Sequence, residues 1–432
     1  MPMYADVTVP TAFMIIAILA IVAQSLLLIL ALFGPGLRYR IRHTDLQDMD
    51  AGEFLRTLAA VTDSQPNHRT KLDVFTNGEQ FYEAELGEIA KAQRTVNLEA
   101  YIFTPGQVAS RFVAALAARA RAGVEVRVVL DGIGSLRTTA ADFAPVLTAG
   151  GKLFFYHPLR LTTIPSYNNR THRELVVVDG ETAFVGGAGF SDDWLVSKPG
   201  RPRWRDTMVR VRGRAVTSLQ ATFVENWLEA SGEMIAGDSH FPECGAEGDS
   251  PAIVVNSTPS AGGSTRARVL FQMLLASARQ TIHITTPYFL PDASLTDELR
   301  RAVARGVEVQ VLVPGPHSDQ LLTRRTSRLG YGRLLPHGVR IFEYRPSMLH
   351  AKVLLVDRRW AVVGTTNFDN RSFGLNDEVN LAVCDPAFAS RLEEDFTTDL
   401  AQAGEVSHEA WKNRGVLERG LELVGWLLER QQ

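Results

Sequence analysis

The chain repeats itself, and that limits its fold more than any other feature. AQRTVNLEAYIF (Ala92 to Phe103) matches ARQTIHITTPYF (Ala278 to Phe289), AGVEVRVVLDG (Ala122 to Gly132) matches RGVEVQVLVPG (Arg305 to Gly315), and GGKLFFYHP (Gly150 to Pro158) matches GVRIFEYRP (Gly338 to Pro346). A near-constant displacement of about 185 residues over three blocks is the mark of an internal duplication. Each half reads strand, helix, strand, with helices predicted over Val108 to Ala122 and Leu295 to Arg305, which is α/β architecture. Between the halves, Gly232 to Ser264 is rich in Gly, Ser and Pro and reads as a crossover or loop. With 432 residues, 45% of them hydrophobic, both halves can build real cores.

The ends differ from the repeat. Ala12 to Phe33 carries no charge, and as a helix of about 33 Å it matches a bilayer core of about 30 Å. No small-x-small cleavage site follows it, so it reads as a retained anchor. Arg38, Arg40 and Arg42 come directly after it, and the positive-inside tendency then leaves the rest of the chain in the cytoplasm, anchored to the cell membrane by one pass. At the other end Leu417, Leu421, Val424 and Leu428 are spaced as one face of an amphipathic helix. The predicted organisation is an anchor and basic segment over 1–43, a first half over 44–240, a second half over 241–403 and the amphipathic helix over 404–432. Cys244 and Cys384 are the only cysteines, too few for a disulfide framework or a Cys-rich metal site. A net charge of −3 excludes a large uniform basic field of the kind that grips duplex nucleic acid.

A fourth pair of blocks carries the chemistry. THRELVVVDGETAFVGGAG pairs with LHAKVLLVDRRWAVVGTTN. If Leu175 to Val178 form a strand, the alternation puts His172 and Glu174 on one face at its mouth. The second copy holds His350, Lys352 and Asp357, then Gly364, Thr365 and Asn367. This H-x-K-x4-D-x6-G-T-x-N pattern, duplicated, resembles the signature of the phospholipase D superfamily. Further blocks, FTNGEQFY, LEAYIF, RWRDTMVRVRG, TTPYFLPD and FDNRSFGLNDEVN, resemble the bacterial cardiolipin synthases of that superfamily, over roughly Asp73 to Leu400.

The resemblance implies two phospholipase D-like α/β sandwich halves that meet at a pseudo-twofold axis and share one active site. One histidine attacks phosphorus and forms a phosphohistidine, and the other protonates the leaving oxygen. No metal and no cofactor is implied. Lys352 and Asn367 would hold phosphate oxygens. Each imidazole needs a partner at Nδ1, and the carboxylates that follow the motifs are Asp206 and Glu378. The catalytic set is therefore His172, Glu174, Asp179, His350, Lys352 and Asp357, supported by Asp206, Asn367 and Glu378. The first copy departs from the pattern, with Glu174 in place of lysine and Gly189 in place of asparagine. A carboxylate there should repel a phosphate and should favour His172 as the acid, whereas family precedent makes the first histidine the nucleophile. Three compensations are open: a nearby arginine (Arg170, Arg203 or Arg205), protonation of Glu174, or a proton-accepting role for it.

For the substrate, the expectation is a phospholipid, phosphatidylglycerol by resemblance, with phosphatidyl transfer to a lipid alcohol. The anchor, the apolar insertion bearing Leu159, Leu161, Ile164 and Tyr167, and the arginines Arg324, Arg325, Arg328 and Arg333 point the same way. A phosphodiester hydrolase, a nuclease and an inactive lipid-binding scaffold are the alternatives. Nucleic acid is not an expected partner, and the oligomeric state is left open.

Overall fold

Valine-rich runs with turn residues at both ends become strands, and the duplicated blocks become equivalent strands. The computed structural model describes residues 8–33, 40–41, 45–47, 49–160, 167–245, 247–259 and 265–415. In the first lobe the strands are β1 (Pro66–Thr76), β2 (Thr95–Ala100), β3 (Glu125–Asp131), β4 (Lys152–Tyr156), β5 (Arg170–Thr171), β6 (Leu175–Val178), β7 (Thr182–Gly186) and β8 (Thr207–Gly213). In the second they are β9 (Ser250–Ser257), β10 (Thr281–Thr285), β11 (Glu308–Pro314), β12 (Arg340–Tyr344), β13 (Val353–Val356), β14 (Trp360–Gly364), β15 (Asn376–Cys384) and β16 (Ala403–Glu405). Helices Gln107–Arg121 and Ala293–Ala304 link the first two parallel strands of each lobe, over the spans the repeat predicts to within two residues.

The duplication is written into the sheet. Its order is β4-β3-β2-β6-β7-β8-β1-β9-β15-β14-β13-β10-β11-β12-β16, so either side of the β1–β9 junction is the mirror of the other. In both lobes three parallel strands lie toward the outside and antiparallel ones lead to the junction; in the second lobe the short antiparallel β16 adds a further edge strand. This is a mixed sheet of the phospholipase D-like α/β type.

Each lobe has its own apolar layer, and a third is shared. Val185 and Val211 of the first lobe pack in one cluster with Leu355, Val363 and Leu381 of the second. Two equivalent helices close this core. Ala215–Ser231 contributes Leu219, Phe223 and Trp227 at four-residue spacing, and Pro386–Leu400 contributes Phe388, Leu392 and Phe396. The latter starts where Asp385 accepts the Ala387 and Phe388 amides and Pro386 fills the first turn. Truncating a side chain as large as Trp227 here would cost about 3–5 kcal/mol.

Two boundaries differ from the sequence expectation. Residues 51–61, counted with the first half, form a helix whose Phe54, Leu55 and Leu58 pack in the second lobe's core, because their apolar face fits the helix Arg266–Ser277 rather than its neighbours in sequence. The segment from 404 is not one helix. Its described part ends β16 and adds a short helix, His408–Lys412, while Leu417, Leu421, Val424 and Leu428 lie outside the described residues. The expected transmembrane anchor is not supported. A helix, α1 (Thr8–Phe33), covers the apolar run, and its described side chains from Phe13 to Leu26 are exposed. Among the described residues no helix is long and apolar enough to cross a membrane.

Candidate active site

His172 and Glu174 stand just before β6, and His350 and Lys352 just before the equivalent β13. Short inter-lobe ladders set what faces each of them. β5 pairs in parallel with the start of β15, Arg170 with Asn376 and Thr171 with Asp377, and the His172 amide donates to the Asp377 carbonyl at 2.9 Å. On the other side Arg205 pairs with Leu349, and the His350 amide donates to the Arg205 carbonyl at 2.7 Å.

The result is a crossed arrangement. His172 of the first lobe meets Glu378 of the second through Nδ1, at 3.0 and 3.1 Å from its two oxygens. His350 of the second lobe meets Asp206 of the first through Nδ1 at 2.9 Å. Both carboxylates are buried and further pinned. Glu378 accepts from the Thr365 hydroxyl, and Asp206 accepts from Trp194 Nε1 at 2.9 Å and from the Thr207 amide at 2.8 Å. Each imidazole is thereby held in the tautomer that leaves Nε2 for chemistry. Aromatic rings fix the planes: Tyr101 lies edge-on to His172 with centroids 5.0 Å apart, and Trp194 and Trp204 lie 5.3 and 5.2 Å from His350.

Lys352 lies beside His350. Its ammonium is 2.8 Å from the His350 carbonyl, 2.8 Å from Nδ1 and 3.1 Å from Nε2. Burial pulls the Lys352 pKa down to about 8, against the opposing pull of a carboxylate from each lobe, Asp206 and Glu378. The Lys352 ammonium is within electrostatic reach of both histidines' partners. Burial first, and the Lys352 charge second, push His350 below the ordinary imidazole range. Burial raises Asp206, but its bond to His350 and the Lys352 charge outweigh that and hold it below the usual carboxylate range. Asn367 is buried with an unpartnered Oδ1.

Glu174 is resolved by its surroundings. Its Oε1 accepts the Ile102 amide at 3.1 Å, its Oε2 has no partner, and burial drives its pKa well above the carboxylate range. Burial thus favours its neutral form, which weakens the expected repulsion of phosphate. None of the three candidate arginines is paired with it among the described residues. Arg170 pairs with Asp131, Arg203 with Glu79, and Arg205 with Asp395 and Asp399. The second departure follows from the first: a Cβ on Gly189 would come within 2.6 Å of the Ile102 carbonyl and 2.9 Å of Glu174 Oε1, so the asparagine of the pattern has no room. Gly187, equivalent to Thr365, leaves space for the Lys352 stem and Asp206, 2.9 and 2.6 Å from where its Cβ would be.

The motif aspartates are not part of this cluster, contrary to the sequence assignment. Asp179 accepts the backbone amides of Gln93, Arg94 and Thr95 at 2.7–2.8 Å, and Asp357 those of Arg279, Gln280 and Thr281 at 2.7–2.9 Å. Each sits in a left-handed turn, φ 55°, at the far end of its strand from the histidine. They staple the entry of β2 and β10, a structural task. Likewise Arg324 and Arg328, read as headgroup ligands, both pair with Glu343. Leu159 and Tyr167 of the insertion are exposed, and Leu161 and Ile164 lie outside the described residues. Trp194 and Trp204 were missed by sequence reasoning; the only signal was the tryptophan in RWRDT. Among the described residues no group of His, Cys, Asp and Glu is arranged to hold a metal ion.

A family model described as cardiolipin synthase, phospholipase D-like domain, matches residues 86–226 and 271–400. The chain belongs to this family. Its relatives include the major cardiolipin synthase ClsA of Bacillus subtilis, 33% identical over 91% of this chain and 84% of that protein. The cardiolipin synthase of Alkalihalophilus pseudofirmus is 32% identical over 82% of this chain and 71% of that one. Among solved structures, the phosphatidylserine synthase of Haemophilus influenzae superposes with a TM-score of 0.65 over 87% of this chain and 96% of its own, at 14% identity, a likeness of fold. Membership of the cardiolipin synthase family makes this chain a phosphatidyltransferase of the phospholipase D superfamily.

Proposed function

We propose that the protein condenses two phosphatidylglycerol molecules into cardiolipin and glycerol at the membrane surface. The observation that carries the reading is the crossed pair of carboxylate-held histidines, one from each lobe. His172 Nε2 attacks the donor phosphorus, and the bond from phosphorus to the headgroup glycerol oxygen breaks as His350 protonates that oxygen. In the second step neutral His350 takes the proton of the acceptor hydroxyl, which displaces His172 from phosphorus. The downward push on His350 suits this base role, and Asp206 supports its charged form in the first step. Burial favours the neutral form of Glu174, and the first histidine attacks as family precedent has it. Lys352 shifts from the His350 ring to the phosphate oxygens, assisted by Asn367. Capture by water would give phosphatidic acid, so closure of the site against water sets the outcome. Attachment to the membrane through the apolar run of α1 is part of this reading, supported by its uncharged sequence from Ala12 to Phe33.

The test is purified protein in phosphatidylglycerol vesicles with products separated by mass, and an acid quench to trap the intermediate. Cardiolipin with equimolar glycerol and a phosphatidyl group on His172 is the expected result. Phosphatidic acid alone would make it a hydrolase, and label on His350 would reverse the two histidines' roles.

A further inference from the structure

A cleft of about 470 Å³ lies one side chain away from His350, which does not itself line it, and the first reaction step does not use it. Its floor is Trp204 and Met348, the former packed on the His350 ring and the latter two residues before it. One wall belongs to the first lobe: a tight turn in which the Lys198 and Arg201 amides and carbonyls bond each other at 2.9 Å, with Gly200 at φ 70°. The opposite wall, His317 to Asp319, follows β11 of the second lobe. Lys198 and Arg201 are exposed and form no ion pair among the described residues. The cleft also holds two carboxylates, Asp319, which accepts from the Tyr288 hydroxyl at 2.8 Å, and Asp193, which accepts from the Ser191 hydroxyl at 2.9 Å. Its two exposed cations, Lys198 and Arg201, stand together on the first-lobe turn.

We propose that this cleft is the acceptor site, where Lys198 and Arg201 hold the phosphodiester of the second lipid. The assignment rests on the phosphatidyl-transfer reading with His350 as acid and base. In-line displacement sends the leaving glycerol out on the side opposite the attacking His172, and the acceptor hydroxyl must enter along the same line, past His350. An acceptor phosphatidylglycerol carries its own phosphate three carbons from that hydroxyl, so an anion arrives beside His350 just as the hydroxyl reaches it. Two cations on a turn held by paired backbone bonds meet that anion with little reorganisation. A neutral alcohol has no such group and gains nothing from them.

The full-length protein is assayed in phosphatidylglycerol vesicles containing ethanol, so that cardiolipin and phosphatidylethanol form from one donor pool. For the double variant Lys198→Ala/Arg201→Ala the ratio of cardiolipin to phosphatidylethanol should fall at least tenfold, and Lys198→Arg/Arg201→Lys should recover most of it. An unchanged ratio, whether both products persist or both decline together, overturns the acceptor assignment alone. Absence of any phosphatidyl product from the wild-type protein, matching a His350→Ala control, overturns the transfer reading and the cleft with it.

Discussion

Lys352 offers the sharpest test of the site's electrostatics. The side chain is 4% exposed and its nearest polar neighbours are the His350 ring and carbonyl. A fall from 10.5 to about 8 corresponds to about 3 kcal/mol against the charged form. The ammonium is then about nine-tenths charged at pH 7 and about one-tenth charged at pH 9. Because kcat/KM reports groups of the free enzyme, it should decline about tenfold per pH unit above 8. Lys352→Arg, whose guanidinium keeps its proton, should work more slowly throughout yet lose this alkaline limb. The same group shapes stability. Between pH 8 and 10.5 the unfolded chain holds the Lys352 proton and the folded chain does not, so stability gains up to about 3 kcal/mol as pH rises through that window, and the full penalty remains below it. Lys352→Met should be more stable than wild type at pH 7, with the gap closing by pH 10 in thermal melts. A wild-type kcat/KM that stays flat to pH 9.5, or an unchanged limb in the arginine variant, would refute the buried, charge-starved lysine.

Glu174→Gln should retain activity within about threefold, since a neutral amide oxygen can accept the Ile102 amide as the neutral acid does, whereas Glu174→Lys buries a charge and should lower both turnover and melting temperature. Asp206→Asn cannot accept from His350, Trp194 and Thr207 at once; kcat/KM in the vesicle assay should drop about 10- to 100-fold with circular dichroism unchanged. Asp357→Ala leaves three backbone amides without their acceptor and should cost about 1–3 kcal/mol in denaturant unfolding while activity per folded molecule holds, and Asn should recover part of that loss.

The histidines were legible because chemistry fixes residue type and spacing together: His350-x-Lys352 needs two side chains on one strand face, and only a few residue types bind and protonate a phosphodiester. Asp179 and Asp357 belong to the same pattern and so looked catalytic. A spacing pattern records every residue the motif requires, and does not distinguish a turn staple from a proton donor. Glu174 stayed open for a related reason. Its residue type allows an anion, a proton acceptor or a neutral acid; burial of its oxygens against Ile102 and Gly189 favours the neutral form, and burial is not a property of local sequence.

The duplicated blocks alone determined two like α/β lobes, and the repeated strands settled into a mirrored sheet because equal hydrophobic patterns seek equal burial. Which carboxylate serves which histidine was decided only in three dimensions. The pairing of β5 with β15 and of Arg205 with Leu349 lays each motif against the other lobe, so Glu378 reaches His172 and Asp206 reaches His350. Such contacts, between residues 206 and 144 positions apart, come from how whole lobes pack across a shared core, which no local pattern encodes.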